Sequence, residues 1–142
     1  MNFSKNIGFL VLSLSLLTSG CQRNSSEHQT LKIAEEVVNY VESGKIDDAF
    51  NILKLHWPLS AQEVDNLKSH TIEQRQIVEQ RYGKPIGIEY IKTEMVGNSM
   101  IKHTFVEKFE RHALKWQLSF YKPQDTWIIN SVYWDDKISE LY

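Results

Sequence analysis

From Leu114 to Phe120 apolar and polar residues alternate without a break: Leu114, Trp116, Leu118 and Phe120 against Lys115, Gln117 and Ser119. A period of two sends one set to each face of an extended chain, so the segment predicts a half-buried strand. Lys122-Pro123-Gln124-Asp125 ends the run. Proline presets φ for a turn, and Asp can bond its own backbone nearby. Thr126 to Trp134 is again β-branched and aromatic, which predicts a second strand. This hairpin holds three of the four tryptophans in the chain. Aromatic side chains bury the largest area per residue, so the rest of the chain is expected to pack on this ribbon.

The chain has 142 residues, 42% of them hydrophobic and 24% charged, which is the size and composition of one globular domain. The formal net charge is −2 with no long run of one sign, which argues against nucleic-acid binding by bulk electrostatics. A single cysteine leaves no intrachain disulfide to form.

That cysteine, Cys21, follows a leader-like segment. Lys5 supplies a positive start, and Ile7 to Leu17 is an apolar run of about 11 residues. This is the length of a signal-peptide core and short of the roughly 20 residues that span a bilayer. Residues 1–20 are therefore read as a signal peptide. Leu17-Thr-Ser-Gly-Cys21 resembles the lipobox of bacterial lipoproteins. The resemblance implies cleavage before Cys21, acylation of its thiol and a membrane lipid as the first partner. Acylation would also remove a free thiol from an oxidising compartment. Gln22 stands where Asp would retain such a protein at the inner membrane, so in a Gram-negative cell the resemblance implies the periplasmic side of the outer membrane. Loss of Lys5 with the leader leaves 15 basic residues against 18 acidic, a net −3. Residues 21–30, polar around Asn24-Ser25-Ser26, read as the lipidated cysteine and a flexible tether.

Ile33 to Ser43 has helical spacing, with Ile33, Val37 and Val41 on one face, Ala34 and Val38 beside them, and Gly44 as a stop. Asp47 and Asp48 open a second helix, whose buried stripe is Ile46, Ala49, Phe50 and Leu53. His56-Trp57-Pro58 ends it. Trp57 is read as a plug at the end of the core or as a contact patch. Ser60-Ala-Gln-Glu63 is a capping box, and the helix that it starts is expected to reach Tyr82 with Gly83 as its stop. The apolar stripe of this helix is thin (Val64, Leu67, Thr71, Val78, Tyr82), and Arg75 falls among its polar residues. It predicts a helix lying over a sheet on one narrow face.

Ile86 to Val96 and Met100 to Phe109 are expected strands joined at Gly97-Asn98. A two-residue turn at Arg111-His112 would set Phe109 against Leu114, Phe105 against Leu118 and His103 against Phe120. The opposite side, with Lys102, Thr104, Val106, Lys108, Lys115, Gln117 and Ser119, then suits solvent. In the last strand either Trp127, Ile129 and Tyr133 point inward, or Ile128, Val132 and Trp134 do. Residues 136–142 form a polar tail beyond a single domain at 31–135.

Helices followed by a four-stranded antiparallel meander predict an α+β fold with the helices on one face. That order, ending in Trp116-x-Leu118-x-Phe120-Tyr121-Lys122-Pro123-x-Asp125-x-Trp127, resembles small bacterial proteins of the NTF2-like (cystatin-like) superfamily over residues 31 to 135. The family includes ketosteroid-isomerase-like enzymes and many non-catalytic ligand-binding or partner-binding domains.

The candidate site residues lie on the inner face. His103 and Glu107 flank Phe105, and a His and a carboxylate in an apolar pocket could serve as acid and base. The simpler reading places both at the rim, or each with one hydrogen-bond partner. Tyr90, Trp116 and Tyr133 complete the expected ligand-facing set. Strand positions four apart are separated by about 13 Å, too far to share a metal at ligand distances near ~2 Å. No metal or cofactor motif is present. The expectation is a non-catalytic, lipid-anchored envelope domain that binds a small ligand or an envelope protein. The alternative is a ketosteroid-isomerase-like enzyme using the His103/Glu107 pair.

Overall fold

The computed structural model describes residues 19–142. The expected leader up to residue 18 and the acylation expected on the Cys21 side chain lie outside the described residues. Three helices come first: α1 (Ser19–Glu42), α2 (Ile46–His56) and α3 (Ala61–Tyr82). Four strands follow: β1 (Pro85–Val96), β2 (Met100–Phe109), β3 (Ala113–Tyr121) and β4 (Ile128–Asp135), then a single 3-10 turn at Ile138–Leu141. The strands pair in chain order as an antiparallel meander. The helices cover one face of it, which is the α+β arrangement expected from the sequence.

The helix ends form where the residues dictate. Ser60 takes an extended conformation, its hydroxyl accepts from the Glu63 N–H, and Glu63 Oε2 accepts from the Ser60 N–H at 2.8 Å. Both arms of the expected capping box are therefore present. At the other end Gly83 has φ +87°, and a Cβ there would lie 2.3 Å from Glu110 Oε2. Only glycine fits this stop. The first helix is longer than its apolar pattern suggests. The polar stretch Gln22 to Gln29, read as a flexible tether, is helical backbone, and Thr30 is fully buried.

The core lies between α1, α2 and the inner face of the sheet. Ala34, Val37, Val38 and Val41 of α1 meet Ala49, Phe50 and Leu53 of α2, and Ile101, Phe105, Trp116, Leu118 and Phe120 of β2 and β3. Each such large side chain contributes about 2 kcal/mol on leaving water. A smaller cluster joins Val78 of α3 to Phe109 and Leu114, with Tyr82 and Trp134 against it.

Three details differ from expectation. The β2–β3 turn sits one residue earlier than Arg111-His112: Lys108 pairs with Ala113, and the Phe109 N–H donates to the His112 carbonyl across Glu110-Arg111. The register moves by two, so Phe105 faces Trp116, His103 faces Leu118 and Ile101 faces Phe120. A shift of two keeps every side chain on its expected face, which is why the inner set survives. The outer face is not wholly solvated. Lys115 is buried because its ammonium pairs with Asp135 at 3.3 Å and Glu140 at 2.5 Å, the latter on the folded-back tail, and Thr104 is buried too. In β4 an extra residue at Asn130 shifts the pairing: Phe120 faces Ile129, but Ser119 faces Ser131. Parity changes there, so Trp127 and Ile129 point inward before the bulge and Val132 and Trp134 after it. Two of the three residues in each expected alternative point inward, while Tyr133 and Ile128 turn outward.

Candidate functional site

Glu107 is at the sheet centre with none of its surface exposed. Arg75 Nη1 donates to its two carboxylate oxygens, both at 2.6 Å, and Trp116 Nε1 donates to Oε2 at 2.9 Å. The guanidinium of Arg75, itself buried, also stacks 5.3 Å from the Phe109 ring. Burial pushes the Glu107 carboxyl above its usual range, while Arg75 and Trp116 act to lower it. The periodicity of α3 places Arg75 between Thr71 and Val78 on the stripe that faces the sheet, yet its charge put it among the solvent residues in the sequence reading. The deep acceptor across from it could not be seen from α3 alone.

His103 is held at both nitrogens. Nε2 lies 2.8 Å from Thr30 Oγ1 and Nδ1 2.7 Å from Thr93 Oγ1, which in turn lies 2.8 Å from the Tyr90 hydroxyl. Thr30 Oγ1 is 3.0 Å from the Ser26 carbonyl, to which only its O–H can donate. It therefore accepts from Nε2–H, Nδ1 accepts from the Thr93 O–H, and the Thr93 oxygen accepts from Tyr90. A bulge at Ile91 makes this chain possible, because it brings Tyr90 and Thr93 to the same side of β1. Burial pushes the His103 imidazole down to about 4, so the ring is neutral at neutral pH.

The two expected acid–base candidates are thus both buried, and each is committed to its own partners. They do not share a hydrogen bond. Neither is exposed to solvent or lines the hollows formed by the described residues; Tyr90 caps the His103 chain, and Tyr133 is on the far side of the sheet. Of the expected ligand-facing residues, Trp116 alone lines the apolar cleft under α3.

That cleft has a volume of about 370 Å³ and is half open to solvent. Val37 and Val41 of α1, Phe50 and Leu53 of α2, and Trp57 form one side, and Trp116 of β3 with Val132 and Trp134 of β4 form the floor. Trp116 and Trp134 stack at 5.7 Å with an interplanar angle of 22°. The fourth wall is α3, through Leu67, His70, Thr71 and Gln74. The hollow follows from the thin stripe on this helix. Between Val64 and Val78 only Arg75 is fully buried, so no large apolar side chain fills the gap above the tryptophans. A second hollow of about 220 Å³ adjoins it, shares Gln74 and Trp134, and reaches Arg81, Asp135 and Asp136. His70, Gln74 and Trp134 were not singled out from the sequence, since their convergence depends on how α3 sits over β4.

Among the described residues, no three His, Cys, Asp or Glu side chains come together as metal ligands would, and no helix is long and apolar enough to cross a membrane. No family model matches the chain, and neither a characterised protein nor a solved structure matches it significantly.

Proposed function

We propose that this chain is a non-catalytic binding domain of the cell envelope, held at a bilayer by an acylated Cys21, whose cleft takes a small, mainly apolar ligand. The observation that carries this reading is the half-open hollow of about 370 Å³ walled by Phe50, Trp57, Trp116 and Trp134. That volume and that mix of aromatic walls with a few polar groups are those of small-molecule sites. The leader and lipobox support export and anchoring. Helices before a meander, with a hollow under the third helix, support the resemblance to the NTF2-like superfamily. A ketosteroid-isomerase-like reaction would need His103 or Glu107 in contact with the space, and the polar atoms of both are taken up by Thr30, Thr93, Arg75 and Trp116.

Titration of the detergent-solubilised protein with N-phenyl-1-naphthylamine tests the reading. Saturable binding with probe fluorescence excited through tryptophan is expected. Thr71→Phe, which fills the mouth from the half-buried α3 wall, should weaken it at least tenfold without lowering the melting temperature. Absence of saturation, or full binding by Thr71→Phe, would reject the cleft as the site. Cys21→Ser should move the protein from the membrane fraction to the soluble one; retention in the membrane would reject the anchor.

A further inference from the structure

We infer that the ligand of this cleft is uncharged; the inference rests on the reading of the cleft as a binding site and names the chemical class that it selects. None of the side chains lining the hollow is an Asp, Glu, Lys or Arg. The charged groups nearby are already matched to one another. Lys54 pairs with Asp65 at 2.6 Å, Lys68 with Asp47 at 2.9 Å, and Arg75 with Glu107 at 2.6 Å. The one carboxylate directly behind the floor, Glu107, reaches it only as the acceptor of the Trp116 indole N–H. Arg81, Asp135 and Asp136 line the adjoining hollow, where Lys115 pairs with Asp135 at 3.3 Å, Asp136 accepts from the Tyr82 hydroxyl at 3.1 Å and Arg81 lies over the Tyr82 ring.

An ion entering such a space would leave its water without meeting a free counter-charge, and burying an unpaired charge is costly. A neutral molecule loses little on entry and gains the aromatic walls. Its polar end has a place as well. Thr71 and Gln74, beside His70, line the α3 side and offer both donors and acceptors, which suits a hydroxyl, carbonyl or amide.

The test compares three probes built on an aromatic body of similar size, using the full protein in detergent. N-phenyl-1-naphthylamine is neutral, 8-anilino-1-naphthalenesulfonate is the same body with an anion added, and (1-naphthylmethyl)trimethylammonium carries a fixed cation. The neutral probe is expected to bind at least tenfold more tightly than either ion, and Thr71→Phe to erase the difference by weakening the neutral probe. Equal or tighter binding of the sulfonate would overturn the inference and point to an anion site. Tighter binding of the ammonium would overturn it in favour of an aromatic cation cage. In either case the cleft would stand as a site. Failure of all three probes to saturate would overturn the cleft reading together with the inference.

Discussion

Arg75 Nη1 lies 2.6 Å from both carboxylate oxygens of Glu107, and neither side chain is appreciably exposed. The contact joins the middle of α3 to the middle of β2, where few apolar side chains bridge the two. The position of α3, and with it the roof of the cleft, depends on this pair.

Removing one partner leaves a buried, unpaired charge. Arg75→Met should destabilise the fold by about 3–5 kcal/mol, and Glu107→Gln in the Arg75→Met background should return much of that loss. Urea denaturation of the two single variants and the double variant measures the coupling. Additive losses would mean that the pair does not act as a unit.

The buried imidazole sets a pH dependence. His103 has its ordinary value near ~6.5 when unfolded and about 4 in the fold. The unfolded chain therefore takes up the proton first. The contribution of His103 is complete above roughly pH 6.5 and is lost as pH falls toward 4, by up to about 3 kcal/mol. Glu63, Asp65, Glu94 and Asp135 have lowered values, so they lose their contribution only further into acid. Glu107, raised by burial, acts with the opposite sign. The difference between wild type and His103→Gln isolates the imidazole: thermal melts at pH 7 and pH 5 should converge for the variant and separate for the wild type.

The His103–Thr30 contact fastens the early turns of α1 to the sheet. Thr30→Val keeps the shape and removes the hydroxyl, leaving the Nε2–H without its acceptor. A loss of about 1–3 kcal/mol is expected, with faster amide exchange from Ser26 to Ala34 and little change beyond Val41. Uniform exchange along α1 would show that this part of the helix does not depend on the bond.

The start of α3 makes a smaller and more local contribution. Ser60→Ala removes the hydroxyl that accepts from the Glu63 N–H, at a cost of about 1 kcal/mol. Thermal denaturation should show it, and probe binding in the cleft should change little.

Punctuation and parity were legible in the residues. Ser60 with Glu63, and Gly83 after Tyr82, bound α3 because caps act within a turn of chain. Leu114, Trp116, Leu118 and Phe120 face inward because alternation needs no knowledge of partners. The pairing of β2 with β3 was not legible, since it depends on whether the turn falls at Glu110-Arg111 or one residue later. Nor was the burial of Arg75 and Lys115: each is explained by an acid distant in sequence, Glu107 for one and Glu140 for the other. For the site, Trp116 could be read from its strand alone. The walls from Trp57, Gln74 and Trp134 arise only from tertiary geometry.

The surplus residue at Asn130 has an outcome out of proportion to its chemistry. It makes β4 serve two compartments, sealing the interior with Trp127 and Ile129 and then papering the chamber with Val132 and Trp134. The same residues paired without the bulge would alternate strictly from Ile129 onward, swing Tyr133 into the chamber and send Trp134 outside, whereas excising Asn130 would leave Val132 and Trp134 where they are. The lining of this hollow is thus governed by where one edge strand of the sheet takes up its surplus residue.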